Sequence, residues 1–496
     1  MSNLIFKDHT WTFEQLVAIL KEIDTICREE MGLNPYPSQI EIVSAEQMAE
    51  LSSTHGFANM YKHWSFGKRF LQEHKAYLSG RGGLAYETII ATNPSLAYCM
   101  EDNSSTIQAL VIAHAAYGHS HVYRNNIYYG NGMDAAYIVP YLEFAKNYIR
   151  KCEETYGIGN VEILLDAAHA LQYVSAAPLE KRAKTLKEEQ ERFAARQKAA
   201  EADYREIWTT VPENKKTPAD AMPERQDWPV PESNLLYFLE KNSPALLPWE
   251  RELLRIVRVL GQFWYPSMQI SVVHESAAVY THMYTMRRLY EKGFITEAAM
   301  LEVADINSGV IYQSNYENWR GWNIYTLGWA IAQDIERICT EPTDEDKKWF
   351  PDWAGNQDAM GTLRYAWENF RDESFIRQFL SPKVMRDLKM FRLEDAAEED
   401  YYLVDAIHDD DGYRKIRSAL ADSYLPERFA PDIRVTKVSD DGTLCLTHYT
   451  DEGKPLETSS KRQVMEMITD LWGEAVRMNE LTRDGQNSVK APYLVE

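Results

Sequence analysis

Apolar residues recur at helical spacing over residues 13–31 (FEQLVAILKEIDTICREEM), and Gly32 ends the pattern, so a first helix is expected there. Residues 34–43 (NPYPSQIEIV) read as a turn and then a strand. Residues 85–90 form a short apolar stretch stopped by Asn93-Pro94. Asn103-Ser104-Ser105 offers an N-cap for the apolar run IQALVIAHAAYGH, and two more helices are expected over roughly 133–156 and 160–174. The pattern then breaks. Residues 178–206 are mostly Lys, Glu, Arg and Ala, which predicts a solvated helix, and residues 210–234 read as a proline-rich linker. Helical spacing rich in Trp, Tyr and Leu returns from Leu235 to about Leu380. The tail alternates: strand 401–408, helix 412–424, strands 432–438 and 443–449 around the turn Ser439-Asp440-Asp441-Gly442, helix 459–472 and strand 474–482. That order, βαββαβ, is the order of a ferredoxin-like unit.

The expected fold is therefore mainly α with minor β (α+β), a helical core followed by a ferredoxin-like βαββαβ domain. Four stretches are expected. Residues 1–177 form an α+β domain with a histidine-bearing helix, and 178–234 a charged helix and linker. Residues 235–390 form a helical domain packing on the first, and 391–496 the ferredoxin-like domain.

Composition narrows the function classes. Hydrophobic residues make up 45% of the 496, enough to build sizeable cores and to exclude disorder over most of the length. The 53 basic and 75 acidic residues leave a net charge of −22, which disfavours nucleic acid and anionic lipid as partners. No window approaches 18 uninterrupted apolar residues, so no transmembrane helix is expected. The N-terminus lacks the layout of a signal peptide. The five cysteines are widely spaced, odd in number and form no CxxC pair, which argues for a reducing compartment and against a cysteine-built zinc site. A cytoplasmic protein is expected.

The histidines carry the candidate chemistry. His114 and His119 stand five apart in Ala113–His121, whereas two ligands on one α-helical face need a spacing of four. A π-bulge, one extra residue in a turn, restores the alignment, and such bulges occur mostly at functional sites. Gly118 is the expected place of distortion. His114 with His121, two turns apart, is the other candidate pair. The second segment runs from His274 to His282. It begins as HE but has Ala where an HExxH motif needs its second histidine, and Glu275 and His282 share a face two turns apart. Two histidines from one helix, a glutamate from another and an open fourth position make the catalytic zinc pattern: His114, His119 and Glu275. The competing reading is a set of buried, hydrogen-bonded histidines on core helices. Glu87, a carboxylate ending an apolar stretch, is the leading candidate for general base, with a structural salt bridge as its alternative. His282 is expected to line the same cavity, as a fourth ligand or as proton donor to the leaving group. His63 is a weaker candidate for substrate binding, His169 reads as a core histidine, and Asn125 and Asn126 either orient ligands or cap their helix.

Several strings resemble the SpoVR (stage V sporulation protein R-like) family. They are Tyr61-Lys62-His63-Trp64-Ser65-Phe66-Gly67-Lys68, and Gly83-Leu84-Ala85-Tyr86-Glu87 with Asn93-Pro94 after it. Ala113-His114 through His119 with Arg124-Asn125-Asn126 continues the likeness, as do Asn323-Ile324-Tyr325-Thr326-Leu327-Gly328 and Asp372-Glu373-Ser374-Phe375-Ile376. The run Phe379-Leu380-Ser381-Pro382-Lys383-Val384-Met385-Arg386 completes it. The resemblance covers nearly the whole chain. Histidines five apart resemble the proteobacterial branch; the spore-former branch has them four apart. The family name records a sporulation phenotype, although members occur in bacteria that make no spores. The resemblance implies a stress-response module with a PrkA-like serine protein kinase and a von Willebrand A-type protein as partners.

One departure stands out. The family usually reads Asn-Glu-Gly-Trp-Ala where this chain has His274-Glu275-Ser276-Ala277-Ala278. The family string resembles the segment that gives zinc aminopeptidases their glutamate ligand. Loss of the tryptophan is expected to open space beside the site, and His274 is either an added ligand or a polar replacement for Asn. The expected function is a zinc-dependent hydrolase of peptidase or amidase type. The alternative is a non-enzymatic regulatory scaffold acting with the kinase.

Overall fold

The structure, a computed structural model, describes residues 4–6, 8–78, 86–130, 135–174, 228–314, 321–395, 402–450, 455–482 and 493–495. The helix expected over 178–206 and most of the proline-rich linker lie outside the described residues. The chain divides into two units, residues 1–169 with 248–431 and residues 170–247 with 432–496. Both units are discontinuous in sequence, so the structure groups the chain differently from the four consecutive stretches expected.

The first unit is mainly helical. Its apolar core runs from Phe6 through the helices Phe13–Thr25, Ser105–Ile112, Ser271–Glu291, Ile324–Thr340 and Ala359–Asn369 to Ala421. The helix Ser271–Glu291 lies at its centre and is buried on nearly every side. A helix surrounded this way has to present small residues where neighbours come close, and Ser276, Ala277 and Ala278 meet that need. A Cβ on Gly118 would stand 2.5 Å from Cα of Ala278, and one on Gly328 would stand 2.8 Å from the carbonyl oxygen of Val272. Neither neighbour helix tolerates a larger residue there. Ala277, at the position of the family's tryptophan, is 1% exposed within the apolar core. The space expected from losing that ring is thus not open to solvent.

Three strands flank this core: β1 (Ser38–Val43), β2 (Glu87–Ile90) and β3 (Ser95–Met100), in the order β1-β3-β2. β1 runs parallel to β3 and β2 antiparallel, which places Glu87 opposite Cys99 at the start of the edge strand. The hairpin of β4 (Arg392–Asp395) and β5 (Tyr402–Ala406) also belongs to the first unit.

That hairpin corrects the ferredoxin-like expectation. The strand and helix expected at 401–408 and 412–424 are present, but β5 pairs with β4. The helix Asp410–Asp422 directs Tyr413, Ile416, Leu420 and Ala421 into the first unit's core. The four-stranded sheet of the second unit consists instead of β6 (Asp432–Val438), β7 (Leu444–Thr450), β8 (Val476–Thr482) and β9 (Tyr493–Val495), in sequential order. β7 and β8 are parallel, joined through the helix Thr458–Trp472, and the outer pairs are antiparallel. Trp472 is buried, donates from Nε1 to the Gly442 carbonyl at 2.8 Å, and packs its ring on Phe238 of the helix Leu235–Asn242. The mainly α, minor β class holds.

Candidate metal centre

The site begins with a helix that changes its winding. Ser104 caps Ser105–Ile112, accepting from the amide of Ile107 at 3.0 Å. The next seven residues, Ala113–His119, form a π-helix, and α-helical winding resumes over Ser120–Asn125. The wider turn brings residues five apart onto one face. The rings of His114 and His119 accordingly meet edge to face, with centroids 4.6 Å apart. Gly118 lies inside this π-helical stretch, as expected of it, and it also makes the close approach to the central helix, where a Cβ would stand 2.5 Å from Cα of Ala278.

The glutamate comes from the buried central helix. The first turn of Ser271–Glu291 is held by Asp372, whose Oδ1 accepts from the amide of Val273 at 2.9 Å. Glu275 then extends toward both rings. Its Oε2 is 3.6 Å from Nε2 of His114 and 3.6 Å from Nε2 of His119, and one donor atom from each of the three residues lies within 4.8 Å of the others. Among the described residues this is the one group of three or more His, Cys, Asp or Glu side chains so arranged. Glu87 adds Oε1 at 3.5 Å from Nε2 of His114.

These separations are too long for hydrogen bonds, and Oε2 of Glu275 is buried without a hydrogen-bond partner. An unpartnered carboxylate oxygen in the interior carries a desolvation penalty that a cation would relieve. Two ligands about 2.1 Å from one tetrahedral ion stand roughly 3.4 Å apart, close to the observed spacing. Neither Glu87 nor Glu275 has a Lys or Arg partner among the described residues. Two carboxylates without counter-charge match the two positive charges of a divalent ion. The donor set present therefore fits a metal such as zinc.

Electrostatics point the same way. Burial, reinforced by the neighbouring imidazoles, holds His114 and His119 well below the ordinary histidine range, so both are neutral and offer a lone pair. Burial also pushes the Glu87 carboxyl up to about 8 and that of Glu275 well above its usual range, against a hydrogen bond from Tyr325 to Glu275. Glu87 and His274 are the most exposed side chains of the cluster, at 19% and 15%. Solvent reaches the site along their side.

Not every expected residue joins the donor face. His282 stands behind His114, with the two Nδ1 atoms 2.9 Å apart and its Nε2 3.3 Å from Oδ1 of Asn307. It does not face the donor set as a fourth ligand or leaving-group acid would, because its ring meets the Nδ1 edge of His114. His274 stands behind His119 in the same way, Nδ1 to Nδ1 at 3.0 Å. His121 points elsewhere and accepts from the amide of Asn34 at 3.0 Å. His63 bonds Ser65 and Asp166, and His169 bonds Tyr61, in a separate aromatic cluster. Asn125 bonds the His121 carbonyl and Asn126 those of Trp367 and Phe370, so both tie down the end of the histidine helix.

Sequence reasoning passed over three residues around the cluster. Asp372 and Tyr325 lie inside strings quoted for the family resemblance, which was their only signal. Asn307 lies in no motif.

Known proteins match along almost the whole chain. A family model described as SpoVR like protein matches residues 10–428, and one described as SpoVR-like C-terminal domain matches residues 431–483. The uncharacterized protein YcgB of Escherichia coli (strain K12) is 42% identical over 482 residues, which span 96% of this chain and 93% of that protein. No solved structure matches the chain. A family model covering most of the chain and a relative aligned over nearly its full length lead to one conclusion: the chain belongs to the SpoVR family.

Proposed function

We propose that this protein is a zinc-dependent hydrolase of peptidase or amidase type, acting in a bacterial sporulation-type or stress-response pathway. The observation that supports this is the convergence of His114 Nε2, His119 Nε2 and an unpartnered Glu275 Oε2 in one buried cluster. An ion held by these three residues supplies Lewis acidity for an amide carbonyl and acidifies water. Glu87 is the proton carrier. Its Oε1 stands 3.5 Å from Nε2 of His114, at the edge of the donor set, where a carboxylate both accepts and returns a proton. In that role it takes a proton from attacking water and delivers it to the departing amine nitrogen. Tyr325, kept neutral by burial and bonded to Glu275, offers a phenol donor beside the same cluster.

Metal analysis and turnover test this together. Purified full-length protein is expected to hold about one zinc per chain. His114→Ala and His119→Ala should lose it while keeping the far-ultraviolet circular dichroism of the parent. Glu87→Gln should keep the zinc and cut hydrolysis, screened with a library of peptides and simple amides, by on the order of 10²–10⁴-fold. Iron in place of zinc would remove the hydrolase reading. A folded protein that binds no metal would leave the regulatory scaffold acting with a PrkA-like kinase and a von Willebrand A-type protein.

A further inference from the structure

Behind its donor edge, His114 begins a chain of contacts that ends on another helix. Nδ1 of His114 lies 2.9 Å from Nδ1 of His282, and Nε2 of His282 lies 3.3 Å from Oδ1 of Asn307, on the helix Glu297–Val310. All three side chains are buried. An amide oxygen only accepts, so His282 bonds Asn307 through a proton on Nε2. A neutral imidazole carries one N–H, which leaves Nδ1 of His282 as a bare lone pair. The proton in the Nδ1 to Nδ1 contact then belongs to His114. Its Nε2 is left unprotonated on the side of Glu275, as a metal ligand has to be.

We propose that Asn307, acting through His282, is a positioning residue that locks His114 in the Nδ1–H tautomer and presents the Nε2 lone pair to the donor face. This rests on reading the cluster as a metal site. The partner on the far nitrogen of a ligating histidine fixes both tautomer and ring orientation, and here that partner is a second histidine oriented in turn by an amide. The relay carries no net charge. It therefore orients His114 without adding a third carboxylate to a cluster that already holds two.

Two variants and the tautomer of His114 separate the relay from simple packing. Leucine keeps the branched outline of asparagine but is bulkier and apolar, whereas aspartate matches its size and brings a charge whose burial costs stability; neither packing effect sets which nitrogen of His114 holds the proton. The relay needs an acceptor, which Asp keeps and Leu lacks. In a zinc competition against a chromogenic chelator, Asn307→Leu is expected to bind zinc about 10–100-fold more weakly than the parent, and Asn307→Asp to stay within tenfold of it. Metal-free full-length protein labelled with ¹⁵N-histidine gives a second readout. Long-range ¹H–¹⁵N spectra, assigned with His114→Gln, should show His114 protonated at Nδ1. A proton on Nε2 of His114, or unchanged zinc affinity in Asn307→Leu, would overturn the proposal. An Nδ1–H tautomer in a chain that binds no zinc would support the relay and overturn the metal reading, so the two fail separately.

Discussion

Gly118→Ala is expected to destabilise the protein by about 3 kcal/mol or more and to weaken zinc binding with it. Intrinsic helix propensity predicts the opposite sign, because alanine is favoured over glycine by about 1 kcal/mol in a helix. Packing decides the outcome. The new Cβ would lie 2.5 Å from Cα of Ala278 and 3.2 Å from its amide nitrogen. A flexible side chain could swing away from such a clash; backbone cannot. Overpacking a core typically costs about 1–3 kcal/mol, and a clash against main chain belongs at or beyond the upper end. Separating the two helices also carries Glu275 away from His114 and His119, since it lies one turn from Ala278. Urea unfolding measures the loss. Gly67→Ala is the control, because a Cβ there meets nothing within 4 Å and only the propensity gain remains. A Gly118→Ala protein as stable as that control would mean the two helices do not approach as described.

Metal-free protein is expected to lose stability as pH rises from about 6.5 to about 8, and zinc to reverse that trend. Below 6.5 His114, His119, His274 and His282, all held by burial under the ordinary histidine range, work the other way, because the unfolded chain there binds protons that the folded chain does not. Glu87 has an ordinary value of 4.5 and is pushed up to about 8 by burial, and burial raises Glu275 as well. Between those limits the folded chain keeps protons that the unfolded chain has released. Such groups contribute their full stability below 4.5 and lose it as pH climbs to the folded value, at up to about 1.4 kcal/mol per pH unit for each. Bound zinc needs ionised carboxylate, so binding releases protons and favours higher pH. Chemical unfolding at several pH values with and without zinc reads both slopes. Calorimetry in buffers of different ionisation enthalpy counts the protons released. Glu275→Gln should flatten the metal-free profile and remove most of the zinc effect. An unchanged metal-free slope in both Glu275→Gln and Glu87→Gln would show that neither carboxyl is held protonated.

The candidate site was legible where geometry followed from spacing alone. Two histidines five apart can share a helical face only if the helix gains a residue, and the π-helix at Ala113–His119 supplies it. Which edge of a ring faces which partner is not written in spacing. His282 shares a helix face with Glu275, yet it engages the far nitrogen of His114, a consequence of how two helices cross. The fold shows the same division. The first helix, the two that follow the histidine segment and the two of the tail were readable to within about five residues, whereas Ala45–Ser53 and Trp64–Leu78 were not expected at all. β3 was missed because Ser95–Met100, the middle strand of its sheet, is buried on both faces and has no polar alternation to mark it. The helix Asp410–Asp422 was found, but an amphipathic pattern says that a face is buried, not in which core. Asn307 gave no signal because its role depends on a partner 25 residues away.

The divided second unit bears on how the chain is made. The helix Leu235–Asn242 packs Phe238 on Trp472, and Ser243 donates to the Leu471 carbonyl at 2.7 Å. A ribosome adds about 5–20 residues per second, so roughly 230 residues must follow Asn242 before Trp472 is made, a delay of tens of seconds at the slower end. Through that interval Leu235, Leu236, Phe238 and Leu239, all buried in the finished protein, lack the sheet and helix of their own unit. A gene cut at residue 431, the apparent seam between the two family models, would make that exposure permanent. Its product would be an adhesive chain for chaperones and proteases to clear, rather than a trimmed but working protein.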